Sequence, residues 1–339
     1  MISSARRVVI NIAIAIGVLA LLPVPASQAQ APRRAPETWW VAKTKGGVYK
    51  PPNRPLWKLA DLLKMHAGQA NWSEQIVKDP EQDATYNSAA PGTKFPIRMH
   101  PDTATLFVVV AGQMHFEVEG QQPVTATRGA LVNIMHTTLY SYDVTGDKNA
   151  LWVEVRPPNY QTVYPTSGAQ PAAPKGSEIV KVSFNHTPAP YTGNNKLMVN
   201  TFDDIIAKCE SVNEVVVDDH VWARPLIGYL NAADNKCGGN GNLGDAGGKP
   251  TPAFNPASTF GHFHPGPAQW WIVQAGAVSG KFENTGQFHA VEGDVLYAPP
   301  MSWHSMDSEA PSGPSIRLAL GGYVFINMNS IQPGGGASE

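Results

Sequence analysis

The 339 residues predict an all-β chain built as two small barrels with few, short helices. Three observations carry that prediction. Glycine (31) and proline (30) punctuate short runs rich in β-branched and aromatic residues, a pattern of strands joined by turns. An ungapped internal repeat lays residues 98–143 over 262–307: a slide of 164 places gives 11 identities in 46 positions, where composition alone gives about three. The length, at roughly 100–200 residues per domain, suits two domains.

Residues 1–31 are of another kind. Arg6 and Arg7 precede an apolar run from Val8 to Leu22, and small residues around Ala29 and Ala31 follow. That order is a cleaved secretory signal peptide and predicts a periplasmic or secreted protein; the apolar run is short for a membrane span. Residues 32–94 read as an N-terminal arm and helix, the helix over Leu56–Met65 from its apolar spacing. Residues 95–160 read as the first barrel, with strands over Leu106–Ala111, His115–Val118, Ala130–Ile134 and Ala150–Val155. Residues 161–199 read as a linker, after a Pro/Ala/Gly/Ser-rich stretch that begins at 157. Residues 200–258 form an inter-barrel segment with a short helix at Asn200–Ser211, strands near Val215–Val217 and Leu226–Leu230, and a Gly-rich loop at 234–258. Residues 259–328 read as the second barrel, with strands over Gln269–Gln274, Val278–Glu283, Val295–Ala298 and Arg317–Ile326. Residues 329–339 read as a flexible tail.

Charge excludes some functions. Lys plus Arg number 25 and Asp plus Glu 27; without Arg6 and Arg7 the balance is 23 to 27, about −4. No basic face for nucleic acid is expected, and no membrane insertion once the leader is removed. The partner expected is a small molecule, and self-association is left open. Cys209 and Cys237 can pair in an oxidising compartment or stand as two thiols, and they lack the spacing of a zinc or iron–sulfur site.

The chemistry concentrates in the second repeat. His262 and His264 are two apart, so on a strand they face the same side. Gln269 follows past a turn and can return a carbonyl oxygen to that place. His304 comes after Gly293, a strand and Pro299, and would arrive from a neighbouring strand. Three imidazoles and one amide oxygen suit a single divalent transition metal (Fe, Mn, Ni, Cu or Zn) with positions left open. Trp271, Tyr297, Met301 and Trp303 are candidate pocket residues. Arg224 and Arg317 are candidate anion-binding residues.

His262, His264, Gly276, Gly293, Pro299 and His304 fall at the intervals of the two motifs of the cupin superfamily, and the chain resembles a secreted two-barrel cupin. The resemblance implies jelly-roll barrels with the metal inside the second. It departs in two places: Gln269 stands where most cupins have Glu, and Pro256 where a Gly is expected. The first repeat holds Arg98, His100, Thr105 and Tyr140 at the four ligand positions, so that barrel is expected to be degenerate and metal-free. The resemblance implies an exported metal-dependent enzyme acting on an aromatic or carboxylate compound, oxygen-dependent in the manner of a dioxygenase. A non-oxidative lyase, decarboxylase or isomerase on an acidic or sugar substrate is one alternative, and a non-enzymatic ligand-binding protein is another. No single residue reads as a catalytic acid or base.

Overall fold

A computed structural model of the chain describes residues 39, 41–192, 196–200, 202, 215–216, 222–227, 261–309, 315–321 and 328–329. The expected signal peptide, most of the Asn200–Ser211 helix, both cysteines, the loop at 234–258 and nearly all of the tail lie outside these residues. Met1–Ala42 and Lys43–Glu339 form two separate units, and every element below belongs to the larger one.

That unit opens with a short strand β1 (Leu56–Trp57) and the single described helix α1 (Leu59–Met65). The first barrel comprises β2 (Trp72–Lys78), β3 (Asp83–Ala89), β4 (Lys94–Arg98), β5 (Thr105–Ala111), β6 (Gln113–Val118), β7 (Val124–Thr127), β8 (Ala130–Ile134), β9 (Tyr140–Thr145), β10 (Ala150–Arg156) and β11 (Met198–Asn200). They form a six-stranded sheet, β11-β8-β5-β10-β3-β2, and a four-stranded sheet, β4-β9-β6-β7. The second barrel comprises β12 (Val215–Val216), β13 (Trp222–Ile227), β14 (His262–Phe263), β15 (Gln269–Ala275), β16 (Ala277–Phe282), β17 (Gly286–Val291), β18 (Val295–Ala298), β19 (His304–Glu309), β20 (Ile316–Gly321) and β21 (Met328–Asn329). Its sheets are β1-β18-β15-β20-β13-β12 and β17-β16-β19-β14-β21. The repeat is structural: β5, β6 and β9 lie over β15, β16 and β19 with the same 164-residue offset as the sequence.

Strand alternation sorts side chains into three cores. Phe107, Val109, Phe116, Tyr140, Tyr142 and Trp152 fill the interior of the first barrel. Trp271, Val273, Val278, Phe282, Leu296 and Ala298 fill that of the second. The other parity of the same strands (Leu106 and Val108 on β5, Trp270 and Ile272 on β15) meets in a shared core between the barrels. Each large apolar side chain so buried contributes about 1.5–3 kcal/mol. Polar ties reinforce this layer: Trp57 Nε1 donates to Ile76 O at 3.0 Å, and Trp270 Nε1 donates to Gln82 Oε1. The tight β5–β6 and β15–β16 turns place Gly112 (φ 76°) and Gly276 (φ 68°) in the left-handed region, which explains why both repeats keep glycine there.

Several boundaries differ from expectation. The segment expected as arm and helix contains β2 and β3, which extend the first barrel's sheet beyond β10. Their sequences, WSEQIVK and DATYNSA, are too polar to signal strands, yet Asn87 and Ser88 are buried. The expected helix begins only at Leu59, because Leu56–Trp57 are drawn into antiparallel pairing with Leu296 and Val295 of β18. The arm therefore completes the far barrel. The expected linker rejoins the first barrel: β11 pairs with β8, and Tyr191 Oη donates to Asn133 O at 2.7 Å. Strands β12 and β13 of the expected inter-barrel segment belong to the second barrel's sheet. Among the described residues no helix is long and apolar enough to cross a membrane.

Candidate metal centre

The second barrel gathers the predicted ligands. Extended backbone from β14 into the next residue turns His262 and His264 to one side and Phe263 to the other. His262 pairs across the sheet with His304 at the start of β19. Gly261 permits that approach: its φ is 74°, and a side chain there would collide with the His304 carbonyl. Ring centroids lie 4.8 Å apart for His262–His264, 4.4 Å for His262–His304 and 5.1 Å for His264–His304. One ligand nitrogen from each of the three lies within 4.8 Å of the others. Gln269, first in β15, brings Oε1 to 2.9 Å from His264 Nε2 and 3.1 Å from His304 Nε2.

The protonation state suits a cation. His304 is buried, and burial followed by the neighbouring imidazoles lowers its pKa well below the usual value. His262 is lowered to about 4, first by burial and then by His264 and the charge of Arg317. Both rings are neutral at pH 7 and each keeps one lone pair. His304 Nδ1 lies 3.0 Å from the Ser302 carbonyl, which only an N–H can satisfy, so its lone pair is on Nε2. That lone pair faces the Gln269 carbonyl oxygen at 3.1 Å. An imidazole fixed through its other nitrogen to a backbone carbonyl, with its free lone pair turned to the cluster, is the usual support of a metal ligand. The donor set, three nitrogens and one oxygen, fits a divalent transition metal of the Fe, Mn, Ni, Cu or Zn group.

The remaining candidates separate. Trp271 is buried inside the barrel, 5.1 Å from the His304 ring. Phe282, which sequence reasoning missed, lies 6.4 Å from it. Arg317 is buried on β20 opposite Val273, whose side faces the interior, and its charge reaches His262. Arg224 lies in β13 opposite Ala319. Tyr297 is not a pocket residue: its parity on β18 sends it into the inter-barrel core, where its hydroxyl donates to Asp79 Oδ2 at 3.2 Å. Nor is Trp303, which alternates with His304 and packs behind the site on Phe263, 4.8 Å between centroids. Met301 contributes through its backbone: its φ is 63°, and its N–H donates to His264 O at 2.7 Å.

Comparison with known proteins agrees with this architecture. Residues 88–156 match the family described as Cupin domain. No curated protein matches the chain. Among solved structures, salicylate 1,2-dioxygenase from Pseudoaminobacter salicylatoxidans superposes with TM-score 0.52 at 13% identity, over 78% of this chain and 82% of that one. A variant of that enzyme in complex with gentisate gives TM-score 0.53 at 12% identity, over 78% and 80%. At such identity the likeness speaks for fold. Residues 88–156, most of the first barrel, carry the match to the Cupin domain, and the described unit shares the two-barrel fold of these solved structures.

Proposed function

We propose that the protein is an exported, metal-dependent cupin enzyme of the dioxygenase type, acting on a small aromatic or carboxylate compound. The observation that carries the proposal is the convergence of His262, His264, His304 and Gln269 on one point inside the second barrel. A divalent metal held there would bind the substrate and activate it toward oxygen. The chain's own residues supply the rest. Neutral imidazoles and a neutral amide leave the metal its full charge, which favours an anionic ligand. Arg317 adds positive charge to the same interior. Trp271 and Phe282 give aromatic walls that exclude water and match a planar substrate. That the similar solved structures are salicylate dioxygenases, one with gentisate bound, favours an aromatic acid. Export rests on the order of residues 1–31.

The neutral Gln269 supports a second reading, a non-oxidative lyase or isomerase on an acidic substrate, because it removes the charge that would repel an acid. The deciding experiment is elemental analysis of protein purified from the exported fraction, then oxygen uptake against a panel of aromatic acids. About one metal per chain with oxygen consumption is the expected result. Turnover of the same acids without oxygen would select the lyase, and stoichiometric binding without turnover a binding protein.

A further inference from the structure

The ligands reach the site on two segments, His262–His264 and the turn that ends in Trp303–His304. Phe263 and Trp303 point away from the imidazoles and meet edge to face behind them, 4.8 Å apart at 75°. Phe263 is 2% exposed. Lys43 covers this pair: its Nζ is 5.4 Å from the Phe263 centroid and 5.6 Å from the Trp303 centroid. The same ammonium donates to Glu283 Oε2 at 2.8 Å. Glu283 grips the second segment from both sides, since its Oε2 accepts the Trp303 N–H at 2.9 Å and its own N–H donates to Trp303 O at 2.7 Å. Two glycines hold the arm against the turn. A Cβ on Gly46 would lie 3.0 Å from both Glu283 Oε2 and Ser302 Cα, and one on Gly47 would lie 2.8 Å from Pro299 Cβ. Gly47 N–H donates to Pro300 O at 3.0 Å.

We propose that Lys43–Gly47 and Glu283 form a clamp behind the metal centre, in which Lys43 is a positioning residue that fixes the two ligand-bearing segments against each other and so slows release of the metal. The proposal rests on the metal reading above. Its logic is geometric. Ligands must stay within about 0.5 Å of productive positions, and only groups packed behind them can hold two separate segments to that tolerance. An exposed Lys–Glu pair contributes little. Here the ammonium, 16% exposed, also lies over two aromatic rings, where cation–π attraction adds to the ion pair. The partners are 240 residues apart, so the start of the described unit guards a site made near its end.

The test uses the full chain loaded with zinc and follows zinc transfer to an excess of a chromophoric chelator. Lys43→Met and Glu283→Ala should release zinc about tenfold faster than wild type, the size of effect seen when support behind a metal ligand is removed. Lys43→Arg should restore slow release. Arg128→Met, which breaks the remote 2.6 Å ion pair with Glu292, should leave the rate unchanged. Melting of the zinc-free variants separates positioning from general weakening, because the clamp variants should melt near wild type. Amide exchange at Trp303 in zinc-free protein should quicken in Lys43→Met. If wild type holds zinc and both clamp variants release it at the wild-type rate, the clamp is refuted while the metal reading stands. Wild type that holds no zinc refutes the metal reading and the clamp's role with it.

Discussion

The two barrels share a skeleton and answer the same interior position with opposite chemistry. In the second barrel that position holds three imidazoles, with the His262 and His304 pKa values lowered by burial, and an amide. In the first it holds a cation built into the chain. Arg98 stands at the place of His262 and donates to Tyr140 Oη at 3.2 Å and Tyr142 Oη at 2.5 Å. Tyr140 stands at the place of His304, and its hydroxyl lies 2.9 Å from His100 Nε2, occupying the nitrogen a metal would use. Glu154 balances the charge from 3.2 Å to Arg156 and 3.9 Å to Arg98. Burial pushes the Tyr140 hydroxyl up to about 12, so it stays protonated as a donor. Strand register survives the exchange of ligands intact.

The largest expected effect separates the barrels by metal content. His304→Ala should lose nearly all of the bound metal and His100→Ala none, measured as metal per chain after gel filtration. Two metals per wild-type chain would erase the distinction. Next in size is Glu154→Gln. It leaves two buried guanidinia without their carboxylate and should cost about 3–5 kcal/mol, read by denaturant unfolding of metal-free protein. The corresponding position across the repeat, Ala319 opposite Trp271, has no such charge to lose. A smaller effect is pH-dependent. The His100 pKa is lowered to about 4, first by burial and then by the charge of Arg156. The unfolded chain therefore binds this proton more readily than the folded one. Stability should fall as pH drops from about 6.5 toward 4, with a slope approaching 1.4 kcal/mol per unit from this residue. His100→Asn should flatten the slope, and an unaltered slope would assign the effect elsewhere. The smallest effect concerns the fourth ligand. Gln269→Glu should tighten metal binding on the order of tenfold by adding a charge at the site, and should weaken binding of an aromatic carboxylate. Gln269→Ala should cost less metal affinity than His304→Ala, because water can replace an amide oxygen. Chelator competition on the three variants measures both.

The cluster of His262, His264, Gln269 and His304 is legible in the sequence because it is local. His262 and His264 are fixed to one side by strand parity, and the turn residues Gly293 and Pro299 place His304 on the neighbouring strand. The wall of the site was less legible. Strands β15 and β18 are buried on both faces, so alternation divides Trp270 from Trp271 and Leu296 from Tyr297 without saying which partner faces the barrel interior. Tyr297 was misassigned for that reason, and Trp303 because nearness in sequence to His304 suggested nearness to the metal. The first barrel's outer hairpin, β2–β3, was hidden by Gln75, Asn87 and Ser88. Lys43 and Glu283 carried no signal, since a lysine in a basic, Gly-containing arm reads as solvated and its partner is 240 residues away.

Residues 166–187 are exposed without interruption, while the parts they join are held together elsewhere. Strand β1 is paired with β18 in the other half, and one core runs between the barrels. Peptide continuity in this stretch is therefore not what unites the halves. A protease that cuts there should leave a particle that sediments as one body and parts only in denaturant. By the same reasoning, two polypeptides divided at that point should find each other when made together. Neither should be whole alone: the second would lack its border strand, and the first would carry that strand with nothing to pair it. The two repeats are thus interdependent, each half finished by residues encoded in the other.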